Sequence, residues 1–388
     1  MKKIFTLSVL LTVAFALQSF AQSVGYSAVT YTDASRSNRS VTTEIYYPAT
    51  SAGSNTPIAS GQFPVIVFGH GFMMTYSAYA YFYNAMAALG YIVVLPTTES
   101  GMSPVHANFG ADEAFLITQM KSEGTNSSSF FYNHIAVTSA IMGHSMGGGA
   151  AFLACENNTT PTCMVTFAEA ETTPSSMVAA RSVTIPALVL SGSVDCVAPP
   201  ATNQVPTYDS LASACKVFIS ITGGCHCYFA DYNLYCIIGE QTCDTNPPLA
   251  TADQEDATLD FVKLYLDYYL KNNAASWTAF NDSLQVSHRI TYQTTCPLTG
   301  LTENKPKSKL QIWPNPADKL VNVQFGSTGN YQIRIFDAVG KQSFIEQSGY
   351  ANSAEETETI DISSLKNGFY FIEVNNNGVR SFNKIIKE

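Results

Sequence analysis

The chain has 388 residues, of which 46% are hydrophobic and 13% are charged, and its 20 basic and 30 acidic residues give a net charge of −10. The length is sufficient for one large domain with a sizeable core, or for two domains. The acidic balance argues against nucleic acid and anionic lipid as partners. The scarcity of charged residues favours a neutral substrate.

A secretory signal peptide is predicted over residues 1–21. Lys2 and Lys3 precede an apolar run from Ile4 to Leu17, and Ser19-Phe20-Ala21 supplies the small residues of a cleavage site. The apolar run is too short to span a membrane comfortably, and no other stretch approaches the required length. We therefore expect an exported protein without a membrane span.

Strand-like and helical runs alternate between residues 22 and 297. This alternation predicts an α/β domain with a mostly parallel, doubly wound sheet. The expected strands are Val41–Tyr47, Phe63–Phe68, Tyr91–Leu95, Ala136–Met142, Met164–Phe167, Ile185–Leu190 and Val217–Ile221. An amphipathic helix over residues 257–271 is expected to close the domain.

The segment Gly143-His144-Ser145-Met146-Gly147 lies between an expected strand and an expected helix. It fits the G-x-S-x-G pattern of a nucleophile elbow, in which small residues allow a tight turn that presents a serine. The pentapeptide alone also fits a packing turn without chemistry, because glycine-rich strand-to-helix turns are common in α/β proteins.

Two further side chains raise the weight of the catalytic interpretation. Asp195 follows the strand Ile185–Leu190, and His226 follows the strand Val217–Ile221 through a glycine turn. The order serine, acid, histidine is the one that this elbow normally accompanies. Because the carboxyl ends of parallel strands meet at one edge of the sheet, we expect the three side chains to converge there.

The chemistry explains these residue types. A serine hydroxyl becomes nucleophilic when an imidazole takes its proton, and a carboxylate holds that imidazole in the correct tautomer. Backbone donors must also stabilise the oxyanion. We expect them to be the N–H of Met146, directly after the serine, and that of Phe72, beyond the Gly69-His70-Gly71 turn.

Several other residues compete for these roles. His70 lies upstream of the serine and is expected to brace its turn, and His144 is expected to point away from the pocket into the core. Asp231 and Glu171 are alternative acids, although neither follows a strand and a glycine turn as Asp195 does. Cys225-His226-Cys227 would suit zinc, but an exported chain favours disulfides, so we expect no metal and no cofactor.

All nine cysteines lie between Cys155 and Cys296, so an odd one remains after pairing. Connectivity does not follow from sequence, but two pairs would close short loops: Cys155 with Cys163, and Cys236 with Cys243. A bond from Cys196 to Cys225 or Cys227 would join the loops of the expected acid and base.

The composition and the hydrophobic pattern of the chain change after residue 297. Residues 298–309 are polar, rich in lysine and interrupted by proline, which predicts a linker. Residues 310–388 alternate with period two, which predicts a small all-β sandwich. Its expected strands are Val321–Phe325, Tyr331–Phe336, Glu358–Ile362 and Phe369–Val374.

The tail resembles the C-terminal sorting domain of the type IX secretion system. The resemblance lies in the segments at residues 312–317, 335–341, 365–371 and 384–388 and covers the whole tail. It implies transport through both membranes of a Gram-negative bacterium by the type IX machinery, with release or anchoring at the cell surface and frequent removal of the domain. A carbohydrate-binding or adhesion sandwich is the alternative.

The body resembles the dienelactone-hydrolase-like and cutinase-like esterases, a group that includes bacterial polyester hydrolases. Residues 68–72, 143–149 and 192–195 carry the resemblance. It implies an α/β-hydrolase fold and, position by position, the roles already assigned to the serine, aspartate, histidine and two backbone donors.

Two departures from this group bear on the substrate. Dienelactone hydrolases proper use a cysteine in the elbow, so Ser145 points to the esterase branch. Polyester hydrolases usually carry a tryptophan after the strand that follows the elbow helix, and the corresponding residues 167–174 have none. The departure weakens the assignment to aromatic polyesters and leaves ester hydrolysis untouched.

These inferences predict a secreted, monomeric serine esterase that cleaves a neutral ester, lipid or polyester through an acyl-enzyme. An acyl-peptidase or thioesterase is a second interpretation, because the triad itself does not select the leaving group. A catalytically silent surface-binding protein is a third.

Overall fold

The computed structural model describes residues 22–243, 247–297, 311–325, 327–337, 343, 347–376 and 379–388. The expected signal peptide at residues 1–21 and linker at residues 298–309 lie outside the described residues. The chain divides into two compact units, Met1–Gly300 and Leu301–Glu388.

Ten strands of the first unit form one sheet. In chain order they are β1 (Ser23–Asp33), β2 (Arg39–Ala49), β3 (Gly53–Ser54), β4 (Phe63–Gly69), β5 (Ile92–Pro96), β6 (Ile135–His144), β7 (Cys163–Phe167), β8 (Ala187–Gly192), β9 (Lys216–Ile221) and β10 (Ile290–Thr294). Their order in the sheet is β10-β9-β8-β7-β6-β4-β5-β2-β1-β3. Strands β4 to β9 are parallel, whereas β10 and the β1–β2 pair are antiparallel additions at the two sides. The predicted α/β fold with a mostly parallel sheet is confirmed.

The central strands are apolar on both faces because helices cover both. All seven residues of β4 are buried. Ile66 and Phe68 pack into the core on one face, and Val65 and Val67 pack into the core on the other. Such uninterrupted apolar runs are typical of parallel strands between two helical layers.

Eight helices lie in the described part of the first unit. They are α1 (Ala80–Ala88), α2 (His106–Thr125), α3 (Met146–Cys155), α4 (Ser176–Ala180), α5 (Gln204–Ser210), α6 (Leu234–Gln241), α7 (Thr251–Lys271) and α8 (Ala274–Val286). Helices α1, α7 and α8 contribute to the core on one face, and α2 to α5 contribute to the core on the other. In the described part of the chain, no helix combines the length and apolar character that a membrane crossing requires.

The second unit is all-β, as predicted. Its strands are β11 (Gln311–Trp313), β12 (Leu320–Gln324), β13 (Gly329–Asp337), β14 (Gln347–Ala351), β15 (Thr357–Asp361), β16 (Gly368–Asn376) and β17 (Val379–Lys387). They form two antiparallel sheets in the orders β11-β12-β15 and β14-β13-β16-β17. Apolar residues of both sheets share one core, as in a small sandwich.

Three disulfides join Cys196 to Cys243, Cys215 to Cys296 and Cys227 to Cys236, which corrects the expected connectivity. The expected pair Cys155–Cys163 is wrong. Cys155 packs in the core on the α3 face of the sheet, whereas Cys163 points into the core on the opposite face. Both are free and buried, as is Cys225, so three thiols rather than one remain unpaired among the described residues.

Candidate active site

The strand β6 passes into helix α3 through a single residue, Ser145. Its φ of +55° is rare for a residue other than glycine and costs on the order of 1–3 kcal/mol. The main chain of Ser145 is held on both sides, because its N–H donates to the Phe167 carbonyl at 2.9 Å and its carbonyl accepts from the Ala170 N–H at 3.0 Å. Gly147 permits the close approach of the next turn, since a Cβ there would lie 2.3 Å from the Gly69 carbonyl.

The structure brings the three sequence-predicted side chains into one line of hydrogen bonds. The Oγ atom of Ser145 lies 2.9 Å from Nε2 of His226, and Nδ1 of His226 lies 2.8 Å from Oδ2 of Asp195. The serine is 9% exposed, the aspartate 4% and the histidine 2%. Because an ionised carboxylate only accepts, Nδ1 carries the proton and Nε2 is free to accept the serine proton.

The loop after β8 holds the carboxylate of Asp195 in a fixed orientation. Its second oxygen, Oδ1, accepts from the N–H groups of Val197 and Ala198 at 2.9 and 2.8 Å. Gln204, which the sequence analysis did not single out, is fully buried and donates to the Ala198 carbonyl at 3.1 Å while accepting from Ser191 Oγ at 2.9 Å. The acid loop is thereby tied to the end of its own strand.

The turn after β4, which carries the predicted oxyanion donor Phe72, lies against the elbow. Met146 is the first residue of α3, so its N–H belongs to the helix N-terminus, where no intrahelical acceptor exists. Phe72 follows Gly71 in the turn and is 48% exposed. Backbone contact between Gly147 and the carbonyls of Gly69 and His70 brings the two segments together.

The competing candidates contact other parts of the structure. His70 is buried, and its ring nitrogens lie 2.8 Å from the Gly71 carbonyl and 2.9 Å from the Thr98 carbonyl. Asp231 accepts from the Tyr81 N–H at 3.1 Å, and Glu171 accepts from Ser176 Oγ at 2.6 Å. The geometry therefore joins only Asp195, of the three acids considered, to the imidazole of His226.

His144 is buried, and it makes hydrogen bonds that the sequence analysis missed. Its Nδ1 lies 3.0 Å from the phenol oxygen of Tyr79, and its Nε2 lies 3.1 Å from the backbone carbonyl of His226. Burial, followed by the nearby His226 ring, holds the pKa of His144 well below its usual value, so it is neutral. Nothing in the local sequence identifies Tyr79 as its partner, because the two residues lie 65 positions apart.

Helix α6 links two loops. The acid loop follows β8 and carries Asp195, and the base loop follows β9 and carries His226. Cys243, just beyond the helix, is bonded to Cys196 of the acid loop, and Cys236 within it is bonded to Cys227 of the base loop. The predicted bonds from Cys196 to the base loop and from Cys236 to Cys243 are therefore wrong. Each loop is bonded to a cysteine in or just beyond α6 and not to the other loop, and the two cysteines of this segment are bonded to different loops.

The buried Glu240 of α6 adds a polar link to the two disulfides. Its carboxylate accepts from the Cys227 N–H at 2.9 Å, and burial raises its pKa. Cys227 is consumed by a disulfide, so Cys225-His226-Cys227 does not offer two thiolates. Across the described ranges, no group of three or more His, Cys, Asp or Glu side chains is arranged to hold a metal ion.

The segments at the carboxyl edge of the sheet carry exposed apolar side chains and no basic ones. Residues 70–75, 97–106, 168–175, 193–203 and 222–243 contain no lysine or arginine. Exposed apolar side chains follow four of the parallel strands: Phe72, Met102, Val105, Val194, Val197, Tyr232, Leu234, Tyr235 and Ile238. We call this set the apolar rim.

The sheet, the elbow and the hydrogen-bonded line of serine, histidine and aspartate are those of the α/β-hydrolase class. A family model described as PET hydrolase-like matches residues 15–242 of the chain. The chain belongs to the PET hydrolase-like family, which confirms the resemblance to cutinase-like polyester hydrolases and supports carboxylic ester hydrolysis.

Two curated proteins show partial similarity. The chain is 31% identical to chloroplast chlorophyllase-1 of Citrus sinensis over 98 residues, which is 25% of this chain and 30% of that protein. It is 25% identical to cutinase est1 of Thermobifida alba over 184 residues, 47% of this chain and 56% of that protein. The chain thus spans about a third and just over half the length of these relatives.

The tail is a secretion-system C-terminal sorting domain, whose family model matches residues 311–388. This confirms the predicted type IX sorting domain in preference to a carbohydrate-binding or adhesion module. The sorting domain directs the protein to the cell surface or the extracellular space.

Proposed function

We propose that the protein is a secreted serine esterase in which Ser145 is the nucleophile, His226 the general base and Asp195 the residue that orients the base. The observation that carries the proposal is the continuous line of 2.9 and 2.8 Å hydrogen bonds through these three buried side chains. Membership of the PET hydrolase-like family supports the same reaction.

The reaction proceeds through an acyl-enzyme. Nε2 of His226 takes the hydroxyl proton as Ser145 Oγ attacks the ester carbonyl, and the backbone N–H groups of Phe72 and Met146 stabilise the oxyanion. The imidazolium then protonates the leaving alcohol. A water molecule, deprotonated by the same imidazole, attacks the acyl-enzyme and releases the acid.

The surroundings of the serine favour a neutral, apolar ester. Loops without lysine or arginine offer no side-chain cation to a phosphate or carboxylate of the substrate. The apolar rim would instead lie against an apolar chain or surface. Val197 also packs near α6 at Gly239, so the rim continues from the acid loop onto the helix.

A polyester is the narrower substrate proposal. Phe72, Tyr232 and Tyr235 are aromatic and at least 48% exposed, which supports contact with a polymer even though residues 167–174 carry no tryptophan. Rates on aliphatic and aromatic polyester films, measured side by side, test this step. A protein that cleaves soluble esters but releases no product from either film would contradict it.

The first experiment compares hydrolysis of p-nitrophenyl butyrate by the secreted protein and its Ser145→Ala variant. We expect the variant to lose at least about a thousandfold in kcat, because the substitution removes the hydroxyl that His226 activates. Ser139→Ala is the matched control. It lies on the same strand, it is buried, and among the described residues its hydroxyl has no hydrogen-bond partner.

Two outcomes would overturn the proposal. Equal and negligible rates in all three folded proteins would exclude ester hydrolysis. Faster turnover of a thioester or an acyl-peptide than of every ester tested would favour the alternative leaving groups.

A further inference from the structure

We propose that Tyr79 and His144 are positioning residues. Through one chain of hydrogen bonds they fix the position of the turn at residues 69–72, here called the oxyanion turn, relative to the base loop. The inference rests on the proposed function, since it concerns how those catalytic groups are aligned. It assigns a role to two buried polar side chains that the reaction itself does not use.

The chain of hydrogen bonds begins at the oxyanion turn. The Gly71 N–H, adjacent to the proposed donor Phe72, points to the phenol oxygen of Tyr79 at 2.8 Å. That oxygen lies 3.0 Å from Nδ1 of His144, and Nε2 of His144 lies 3.1 Å from the carbonyl of His226. Tyr79 and His144 are both fully buried, so water does not replace these partners.

The direction of each hydrogen bond follows from donor and acceptor chemistry. The His226 carbonyl only accepts, so Nε2 of His144 must carry the proton and Nδ1 must accept from the Tyr79 hydroxyl. The sulfur of Met74 lies 3.4 Å from the same hydroxyl, but a thioether is a weak acceptor and does not compete. The phenol oxygen is then free to accept from the Gly71 N–H.

The neutral state of His144 is needed for this arrangement. Its ring centroid lies 4.9 Å from that of His226, and burial lowers its pKa well below the usual value. A second proton on His144 would present a donor to the Tyr79 hydroxyl. It would also place a positive charge beside His226 at the moment when that imidazole becomes protonated.

These hydrogen bonds fix the positions of three segments relative to one another. His144 precedes the nucleophile on β6, Tyr79 closes the 3-10 turn Tyr76–Tyr79, and the chain ends on the backbone of the base. Oxyanion donors and base must meet the transition state in one geometry, and errors of a few tenths of an ångström reduce the rate. Loss of either side chain should therefore lower kcat more than it raises KM.

The test uses p-nitrophenyl butyrate with four single variants and one double variant of the secreted protein. Tyr79→Phe removes one oxygen, His144→Leu removes both polar atoms, and His144→Gln keeps one acceptor and one donor. Tyr91→Phe is the matched control, because it removes an equally buried phenol whose 2.7 Å hydrogen bond to Asp267 lies outside the site.

We expect Tyr79→Phe and His144→Leu each to lose about tenfold in kcat with KM within about twofold. Affinity for an alkylboronic acid, which forms a tetrahedral adduct with the serine, should fall by the same factor. His144→Gln should retain most of the rate, and the double variant Tyr79→Phe/His144→Leu should lose less than the product of the single losses.

The inference is overturned if Tyr79→Phe and His144→Leu reduce kcat no more than Tyr91→Phe at equal loss of thermal stability. If His144→Leu does not fold, Tyr79→Phe decides alone. These outcomes are distinct from failure of the proposed function, which would appear as an inactive wild type or an active Ser145→Ala variant.

Discussion

Replacement of Asp195 by asparagine should abolish the base function of His226 with little change in shape. The amide oxygen must stay at the Oδ1 position, because the N–H groups of Val197 and Ala198, at 2.9 and 2.8 Å, would otherwise face the two hydrogens of the amide. The amide nitrogen then faces Nδ1 of His226, which becomes the acceptor.

This reversal moves the imidazole proton to Nε2, the atom 2.9 Å from Ser145 Oγ. A protonated Nε2 has no lone pair for the hydroxyl proton, so the serine is no longer activated. In a Ser-His-Asp site this change lowers kcat by about 10⁴, equivalent to about 5.5 kcal/mol of transition-state stabilisation.

The assay is kcat on p-nitrophenyl butyrate at neutral pH, with thermal unfolding measured on the same samples. Asp231→Asn is the matched control, because its carboxylate accepts from the Tyr81 N–H and not from His226. We expect the control to stay within about twofold of the wild type. A loss below tenfold for Asp195→Asn, or a loss of a thousandfold for Asp231→Asn, would refute the reasoning.

Three further predictions concern stability. Opening Cys196–Cys243 by a double Ser substitution should lower the free energy of unfolding by about 2–4 kcal/mol and also lower kcat. Opening Cys215–Cys296 in the same way should lower stability alone. Thermal unfolding and kcat measured on both variants distinguish the two effects. Asp112→Asn should cost about 3–5 kcal/mol in urea unfolding, because the buried carboxylate pairs with Arg36 and Arg39 at 2.7 Å, and an equal stability would contradict this. Glu113 is buried, and burial raises its pKa well above 4.5, so the folded protein keeps a proton that the unfolded chain loses. Its contribution to stability is complete below pH 4.5 and is lost as pH rises, by up to about 1.4 kcal/mol per unit. Denaturation from pH 5 to 8 should therefore give Glu113→Gln the flatter profile, and parallel profiles would contradict the assignment.

Much of the first unit could be predicted from local pattern. The apolar runs of β4 and β6 to β9 identify buried parallel strands, because helices on both faces remove the alternation of a half-exposed strand. The outer strands β1, β3 and β10 could not be predicted as members of the same sheet, because their partners are selected by long-range pairing. In the tail, period-two alternation was sufficient to predict an all-β domain.

The predicted site residues could be placed at strand ends for the same reason. Ser145, Asp195 and His226 each follow a strand, and parallel strands bring their carboxyl ends to one edge. Disulfide connectivity could not be predicted, because it depends on the path of α6 between the two loops and on which face of the sheet each cysteine occupies.

The sequence by itself determined the α/β class, the all-β tail and the strand-end positions of the three central side chains. These follow from residue patterns that act within one strand, one turn or one helix. Only the tertiary structure decided that Tyr79 meets His144, that His144 meets the carbonyl of His226, and that Glu240 lies under the base loop. Such contacts join residues far apart in the chain, and the packing of the whole sheet sets the distances between them.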